Sequence, residues 1–406
     1  MAGGTAAAQS VWLIFIPILT RLYDPVAMGV HGMFASIVAI AAPLASLGYP
    51  IAIVLPESRE DSVTLSIISI LSAFMSSSVM FLLIVLLYRD IETFFDVSGF
   101  GLLIMLVPLS VFFTSLQQVA YNWAIREERF RFIAKVAVWQ AIYINIARCG
   151  LAFLSPTGSS LIAVATAGPL VYARMLTGKP GGVIRAVRAR KWLTAELWRV
   201  ARLHRDFPIY RAPQMVVSAL SEGLPVLVLG STVGSASAGF YALAALALQA
   251  PVSLIGKSVD NVFYPSFRSH SLQGMALEAT FLRVVGGLAL VGLPPFAVVF
   301  LFGEPLFALA FGAEWARAGE YASWLAVWLY FMLVNRPCVG ATSVLNMQRT
   351  FLVQTVFTLV ARAASLLIGV WYFSNDLLAI ALFSLVGGIS CVSLIVLVLV
   401  RIRNEQ

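Results

Sequence analysis

The stretch LLAIALFSLVGGISCVSLIVLVLV, residues 377–400, contains 24 consecutive residues without a charged side chain. About 20 apolar residues in a helix are enough to cross the hydrocarbon core of a bilayer, because a helix rises about 1.5 Å per residue. Arg401 and Arg403 follow at once, and such basic residues are typical of the cytoplasmic end of a span. The stretch is therefore predicted to be a transmembrane helix.

Eleven further segments have the same length and apolar character. The twelve predicted spans are 4–21, 30–55, 63–88, 100–124, 132–154, 158–176, 212–230, 237–258, 281–302, 320–344, 350–373 and 377–400. Only one connection is long, and it divides the spans six and six. We therefore predict an all-α polytopic membrane protein with about 12 transmembrane helices. Its two six-helix lobes are 1–176 and 212–406, joined by a basic cytoplasmic linker, 177–211.

The composition of the whole chain agrees with this class. Of its 406 residues, 60% are hydrophobic and 11% are charged, and the mean hydropathy is +0.91. A soluble domain has about 45–50% apolar and about 25% charged residues. The chain has too little polar surface to cover a soluble globule, which argues against a soluble enzyme or a nucleic-acid-binding domain.

The distribution of Lys and Arg predicts the orientation. With the N-terminus in the cytoplasm, the inside connections hold 21 basic residues and the outside connections hold three, Arg21, Arg89 and Arg317. Basic residues accumulate in cytoplasmic loops, so both termini are predicted to be cytoplasmic. The net charge of +8 then needs no acidic partner.

The long linker contains a candidate amphipathic helix, 185–205, with apolar residues at near-helical spacing among many arginines. This composition is typical of a helix that lies on the inner membrane surface against anionic lipid. A basic tether between the two lobes is the alternative. Membrane lipids are accordingly a predicted partner.

Two ionisable residues lie near the middle of predicted spans. Arg362 is about 18 Å from either end of its span, and Glu222 is about as central in SEGLP, residues 221–225. A charge at the bilayer centre costs about 2.5–3.5 kcal/mol, so each residue needs a partner or a wet cavity. One hypothesis is a structural ion pair between them. The other is a cationic cavity for an anionic substrate, in which Arg362 and Arg148 bind cargo and Glu222 binds a coupling cation or proton.

Motifs for other chemistry are absent from the sequence. The three cysteines and three histidines have no metal-type spacing. There is no phosphate-binding GxxxxGK[ST] loop and no nucleophile–base–acid set. We therefore predict no catalytic residue, no metal and no cofactor, and a transporter rather than an enzyme.

An internal repeat is suggested by two similar patterns. The first, P-x4-G-x7-P-x2-R, begins at Pro43 with Gly48 inside it, and the second, P-x4-G-x8-P-x2-R, begins at Pro251 with Gly256 inside it. Lobes with an even number of spans can be related by an axis along the membrane normal. The repeat predicts a substrate cavity between the two halves.

Short motifs along most of the chain resemble those of Wzx-type oligosaccharide flippases, members of the multidrug/oligosaccharidyl-lipid/polysaccharide (MOP) exporter superfamily. The motifs are AGGTAAAQ from Ala2, PILTRLYDP from Pro17, AIVLP from Ala52, REERFR from Arg126, RDFPIYRAP from Arg205, AGFYAL from Ala238, PVSLIG from Pro251, VFYP from Val262 and NMQRT from Asn346. The similarity is strongest over 1–65 and 200–270.

This resemblance implies a flippase of the bacterial inner membrane that moves undecaprenyl-pyrophosphate-linked oligosaccharide from the cytoplasmic to the periplasmic leaflet. The product would serve lipopolysaccharide or exopolysaccharide biosynthesis, with polysaccharide polymerase or assembly proteins as partners and an ion gradient as the driving force. The alternatives are a multidrug extruder of the same superfamily and a non-transporting polysaccharide-assembly membrane protein.

The chain departs from the family pattern at two positions. An R-Y-E-type triplet expected in span two is replaced by Gly48, Tyr49 and Pro50, and Leu246 stands where a basic residue is common. Expected cavity charges are thus missing at both places. The predicted substrate-binding residues are therefore Arg362, Arg148, Arg21 and Arg59.

Overall fold

The structure, a computed structural model, describes residues 2–90, 101–177, 194–272, 277–345 and 347–405. The described residues form helices and no strand. The helices are α1 (Ala2–Leu22), α2 (Pro25–Ala45), α3 (Tyr49–Ala52), α4 (Arg59–Leu86), α5 (Leu106–Arg126), α6 (Phe130–Ala152), α7 (Gly158–Thr177), α8 (Thr194–Leu203), α9 (Ala212–Thr232), α10 (Ser235–Leu272), α11 (Leu277–Phe311), α12 (Ala316–Val334), α13 (Arg336–Val344), α14 (Gln348–Leu367) and α15 (Asp376–Glu405). Short 3-10 or π-helical segments extend several of them.

The predicted spans coincide with these helices. Within the described part of the chain, ten helices are long and apolar enough to cross a membrane. A bent pair, Ala313–Val334 and Arg336–Thr342, would make an eleventh span with a 41° bend, and the shorter apolar helix Gln9–Leu22 coincides with the first predicted span. The prediction of an all-α, multi-pass membrane protein is confirmed.

The chain forms two compact units, 1–238 and 239–406. In the first unit α2 is central and contacts α4, α5, α7 and α9, while α1 packs along α6. Helix α9, predicted to open the second lobe, belongs by its contacts to this first unit. The division into 1–176, 177–211 and 212–406 stays a prediction.

Local sequence signals set the start of two helices in the first unit. The Asp24 side chain accepts a hydrogen bond from the Ala27 amide at 2.7 Å and caps α2, with Pro25 as the first helical residue. Ser58 caps α4 in the same way through the Asp61 amide at 3.0 Å. Gly48 lies between these helices with a φ of +69°, a left-handed conformation that side chains disfavour.

The second unit depends on close helix approaches at glycine. A Cβ on Gly303 of α11 would lie 2.4 Å from the carbonyl oxygen of Gly319 in α12. A Cβ on Gly369 would lie 2.3 Å from the Cα of Ala379 in α15. Only glycine permits these contacts, so the two residues fix how the helices pack.

Part of the predicted linker helix, 185–205, packs against the first unit, and its location on the membrane surface stays a prediction. Residues 178–193 lie outside the described residues, and α8 begins at Thr194. Its apolar residues Leu197 and Val200 pack against the first turns of α4 and against Tyr49, with Val200 fully buried. The apolar face therefore contacts protein, in a buried cluster that includes Val63 and Leu65 of α4. Trp198 and Leu203 are left exposed.

The two copies of the proline–glycine pattern fold differently. Gly48 ends α2 in a turn, whereas Gly256 lies inside the continuous helix α10. A Cβ on Gly256 would lie 2.2 Å from Nε of Arg336, so this glycine makes room for an arginine side chain. The shared pattern therefore does not encode a shared local structure.

Candidate functional site

Arg148 is held in the first unit by the packing of α6 against α1. Its side chain is 7% exposed. The Tyr23 hydroxyl donates a hydrogen bond to the carbonyl oxygen of Arg148 at 2.8 Å and fixes the two helices in register. The arginine thus projects from a braced position within a membrane domain.

The guanidinium group of Arg148 has an aromatic neighbour and an imidazole neighbour. Its central carbon lies 5.0 Å from the ring centroid of Trp12, within cation–π range. Its Nη2 lies 3.3 Å from Nε2 of His31 in α2. Because a guanidinium group only donates hydrogen bonds, Nε2 of His31 must accept. His31 is therefore a neutral imidazole in this arrangement.

Arg148 retains unused hydrogen-bonding capacity. Its Nε is buried and has no hydrogen-bond partner among the described residues, and no described carboxylate lies within 4.0 Å of the guanidinium group. Asn145, one turn earlier on α6, is fully buried and its Oδ1 is likewise without a partner in that part of the chain. A buried cation with an unused hydrogen-bond donor is chemically suited to bind an anion.

Arg362 in the second unit has a different setting. It is 5% exposed, and its guanidinium carbon lies 3.7 Å from the ring centroid of Trp328 and 3.8 Å from that of Phe383. The two rings meet edge to face at 5.9 Å. A Cβ on Gly387 would lie 2.7 Å from the Trp328 indole, so this glycine makes room for the ring. The arginine is wedged between two aromatic side chains.

Glu222 is exposed on α9. The next residue, Gly223, is buried against Ser36 of α2, where a Cβ would lie 3.0 Å from the serine Cβ. Gln214 and Ser218 are exposed at four-residue spacing before Glu222 and share its face. A transmembrane helix with such a polar stripe is typical of the wall of a water-filled cavity.

The other predicted residues lie at helix ends. Arg21 is exposed in the last turn of α1, and Arg59 is exposed at the start of α4. Neither contacts Arg148 within the described residues. Glu222 belongs to the first unit and Arg362 to the second, so the ion pair between them stays a prediction.

Several motifs that suggested the family have structural roles. Arg126 of REERFR donates from Nη2 to the carbonyl of Glu57 at 3.0 Å and from Nη1 to the carbonyl of Pro56. It thereby holds the turn before α4. In the replaced triplet, Gly48 forms the turn and the Tyr49 hydroxyl donates to the carbonyl of Ala201 in α8 at 3.3 Å. Tyr49, the middle residue of this triplet, thus helps to anchor the linker helix α8.

Sequence reasoning missed the residues around both buried arginines. His31 and Trp12 are distant from Arg148 in sequence, as Trp328 and Phe383 are from Arg362. A lone histidine in an apolar helix gave no metal-type signal, and an aromatic residue inside an apolar span gives no signal that identifies it as a partner of an arginine. His31 lies four residues after the buried Ala27 and so shares its face of α2. This spacing is the one sequence feature that places His31 toward the protein interior.

The fold is shared with solved transporter structures. A multidrug resistance MATE family transporter of the MOP superfamily, in an inward-facing conformation, aligns with a TM-score of 0.70 and 13% identity over 98% of this chain and 95% of its own. The lipid II flippase MurJ aligns with a TM-score of 0.71 and 14% identity over 98% of this chain and 86% of its own. A MOP superfamily transporter from Pyrococcus furiosus, described as having a binding pocket of reversed polarity, aligns at 0.60 and 14% over 99% and 94%.

These alignments identify the fold as that of the MOP superfamily. Their sequence identities are too low to support a statement about function. No curated protein sequence matches the chain. The family model described as polysaccharide biosynthesis protein matches residues 18–320, most of the chain. This chain therefore belongs to the polysaccharide biosynthesis protein family.

Proposed function

We propose that this chain is a flippase that moves undecaprenyl-pyrophosphate-linked oligosaccharide from the cytoplasmic to the periplasmic leaflet of the bacterial inner membrane. It works by alternating access coupled to an ion gradient, with both termini in the cytoplasm, and serves lipopolysaccharide or exopolysaccharide biosynthesis. The family, the fold shared with the flippase MurJ and the excess of basic residues in the predicted inside connections support this proposal.

The observation that carries the proposal is the buried guanidinium group of Arg148, whose Nε has no hydrogen-bond partner and which no carboxylate of the described residues contacts. A cation buried without a carboxylate is unstable unless an anion reaches it. A pyrophosphate headgroup supplies several oxygens, and arginine binds such groups through parallel hydrogen bonds. Arg148 is the residue that we assign to the headgroup.

A multidrug extruder, the other function known by name among the structures with this fold, is less well supported. A cavity for cationic drugs would place carboxylates where this chain buries Arg148 and Arg362. Glu222 is the single carboxylate near the middle of a predicted span. The buried charges thus favour anionic cargo.

The test is a flipping assay with purified chain in proteoliposomes that contain a fluorescent, short-chain prenyl-pyrophosphate-linked sugar. Loss of fluorescence to a membrane-impermeant quencher reports movement between leaflets. We expect Arg148→Gln to reduce the rate at least tenfold, equivalent to about 1.4 kcal/mol, and Arg148→Lys to retain part of it, since the planar fork is lost but the charge is kept.

The matched control is Arg283→Gln, which removes an exposed arginine of α11 and is expected to transport normally. Each variant is compared at equal protein content in the vesicles. Wild-type vesicles that do not move the probe, or Arg148→Gln at the wild-type rate, would contradict the proposal.

A further inference from the structure

The contact between Arg148 and His31 joins a cation to a titratable group inside the first unit. Nη2 of Arg148 lies 3.3 Å from Nε2 of His31, so the two side chains are in direct contact. Since Nε2 accepts from the guanidinium group, it carries no proton. A proton added there would create two cations in hydrogen-bonding contact, which is strongly unfavourable in a membrane domain.

An anion at Arg148 reverses this balance. A phosphate oxygen that accepts the hydrogen bond from Nη2 of Arg148 replaces Nε2 of His31 as the acceptor. The same anion offsets the charge of a protonated imidazole, which then donates its new Nε2–H to a second oxygen of the headgroup. The proton comes from water, and no bond other than hydrogen bonds is formed or broken.

We propose that His31 takes up a proton when an anionic pyrophosphate binds at Arg148, so that binding of cargo and binding of a proton are linked. This inference rests on the proposed function and adds to it the identity of a proton-binding residue. Linkage is reciprocal: a lower pH strengthens binding of the anion, and the anion strengthens binding of the proton.

The surroundings of His31 contain few other groups that titrate. The neighbouring groups on the helices packed around α2 are Tyr23 of α1, Cys149 and Arg148 of α6, the capping Asp24, and Glu222 of α9. Gly223, the residue after Glu222, packs against Ser36. Ser36 lies five residues, or about 7.5 Å, along α2 from His31. The described charged and tyrosine residues of α5 and α7 are Tyr121, Arg126, Tyr172 and Arg174 in the last two turns of these helices, and those of α4 are Arg59, Glu60 and Asp61 in its first turn. Only His31 among these ordinarily titrates between pH 5 and 8.

Trp12 strengthens the directional character of the site. Its ring centroid lies 5.0 Å from the guanidinium carbon, while the N–H groups remain available to donate hydrogen bonds to a ligand. The unpaired Nε of Arg148 supplies a donor in addition to Nη2. A headgroup with several oxygens can therefore contact Arg148 and His31 together.

The experiment uses calorimetric titration of geranyl pyrophosphate into the detergent-purified full chain. Titrations between pH 6 and 8, in two buffers with different ionisation heats, give the number of protons taken up per bound probe. His31→Gln keeps a hydrogen-bond acceptor but removes the titratable nitrogen. The pyrophosphate probe itself also changes protonation, and this contribution is the same in the wild-type and His31→Gln titrations, so the difference between them reports His31. We expect wild type to take up as much as about one proton more than His31→Gln.

The ratio of wild-type to His31→Gln affinity should rise as pH falls, by as much as about tenfold per pH unit. The sign follows because the bound state holds more protons than the free state. His204→Gln is the matched control, since burial lowers the pKa of this linker histidine against the opposing charge of Asp61. It should behave as wild type. His31→Asn repeats the comparison if His31→Gln does not fold.

The outcomes separate the two proposals. Binding that depends on Arg148 but shows equal proton uptake in wild type and both His31 variants would overturn the linkage alone. Binding unaffected by Arg148→Gln, or no binding by wild type, would contradict the proposed headgroup site and the linkage with it.

Discussion

Arg148 and Arg362 are both buried arginines, but their neighbours give them different capacities. Arg362 is wedged between Trp328 and Phe383, with its guanidinium carbon less than 4 Å from both ring centroids. Arg148 has one ring, at 5.0 Å, and an imidazole. A cation over an aromatic face in a desolvated site gains about 2 kcal/mol or more. The aromatic wedge can offset much of the cost of burying Arg362.

The wedge can be tested with a double-mutant cycle of Arg362→Leu and Trp328→Leu. We expect each single variant to lower the unfolding free energy in detergent, and the pair to show a coupling of about 1–2 kcal/mol from the lost cation–π contact. Arg362→Leu combined with Trp371→Leu, at a tryptophan that is 69% exposed, should be additive. Additivity in the Trp328 cycle would refute the wedge.

Depth along a helix can be predicted from sequence, whereas the neighbours at that depth cannot. Arg362 and Arg148 are buried as their positions in apolar spans indicate, because a rise of about 1.5 Å per residue fixes distance from the membrane surface. Trp328, Phe383 and His31 come from other helices. Their approach depends on packing at residues such as Gly387, and apolar spans contain many equivalent glycines.

At the scale of elements, α8 ties the linker to the first unit. Val200 is fully buried against the α3–α4 region, and Arg199 Nη2 lies 2.5 Å from Oδ1 of Asp61. Arg199 is exposed and Asp61 is partly buried, and a surface ion pair of this kind contributes less than about 1 kcal/mol. Burial of the apolar face is the main attachment, and Tyr49 adds one hydrogen bond.

Substitution of Val200 tests this attachment. Val200→Asp would bury a carboxylate without a partner and is expected to release α8, because such burial costs several kcal/mol. Limited trypsin digestion should then cleave after Arg202 at least about tenfold faster, which corresponds to about 1.4 kcal/mol of easier opening. Leu203→Asp, at a side chain that is 64% exposed, is the matched control. Equal cleavage of the two variants would contradict the docked helix.

Helix α8 also illustrates a limit of periodicity. The spacing of Leu197 and Val200 correctly predicted an amphipathic helix here, but an apolar face is equally satisfied by lipid or by protein. The sequence contains no feature that distinguishes the two media. The outcome depends on the groove at Tyr49 and α4, which only the tertiary structure reveals.

At the scale of the whole molecule, hydropathy predicted the spans because backbone hydrogen bonding in lipid permits little besides helices. The predicted division into lobes stays a prediction, and the contacts of α9 are a packing property apart from it. The predicted boundary rests on an equal number of spans on each side of the long connection. Helix α9 packs against α2, where the small residues Gly223 and Gly230 make room for Ser36 and Met33. Close approach at small residues is a packing property that chain order does not show.

Glu222 provides the last test, because it lies in α9 and is exposed beside Gln214 and Ser218. A carboxylate facing lipid at this depth would cost about 2.5–3.5 kcal/mol, so we expect Glu222 to face water and to bind a cation or proton during transport. A charge moved across 100 mV gains about 2.3 kcal/mol, or about fiftyfold in rate at most. Glu222→Gln should bind and move the prenyl-pyrophosphate probe in proteoliposomes but lose the acceleration by an imposed sodium or proton gradient. Glu314→Gln, at an exposed glutamate before α12, should keep that acceleration. Full acceleration in Glu222→Gln would exclude a coupling role for this carboxylate and leave His31 as the group to test for proton coupling.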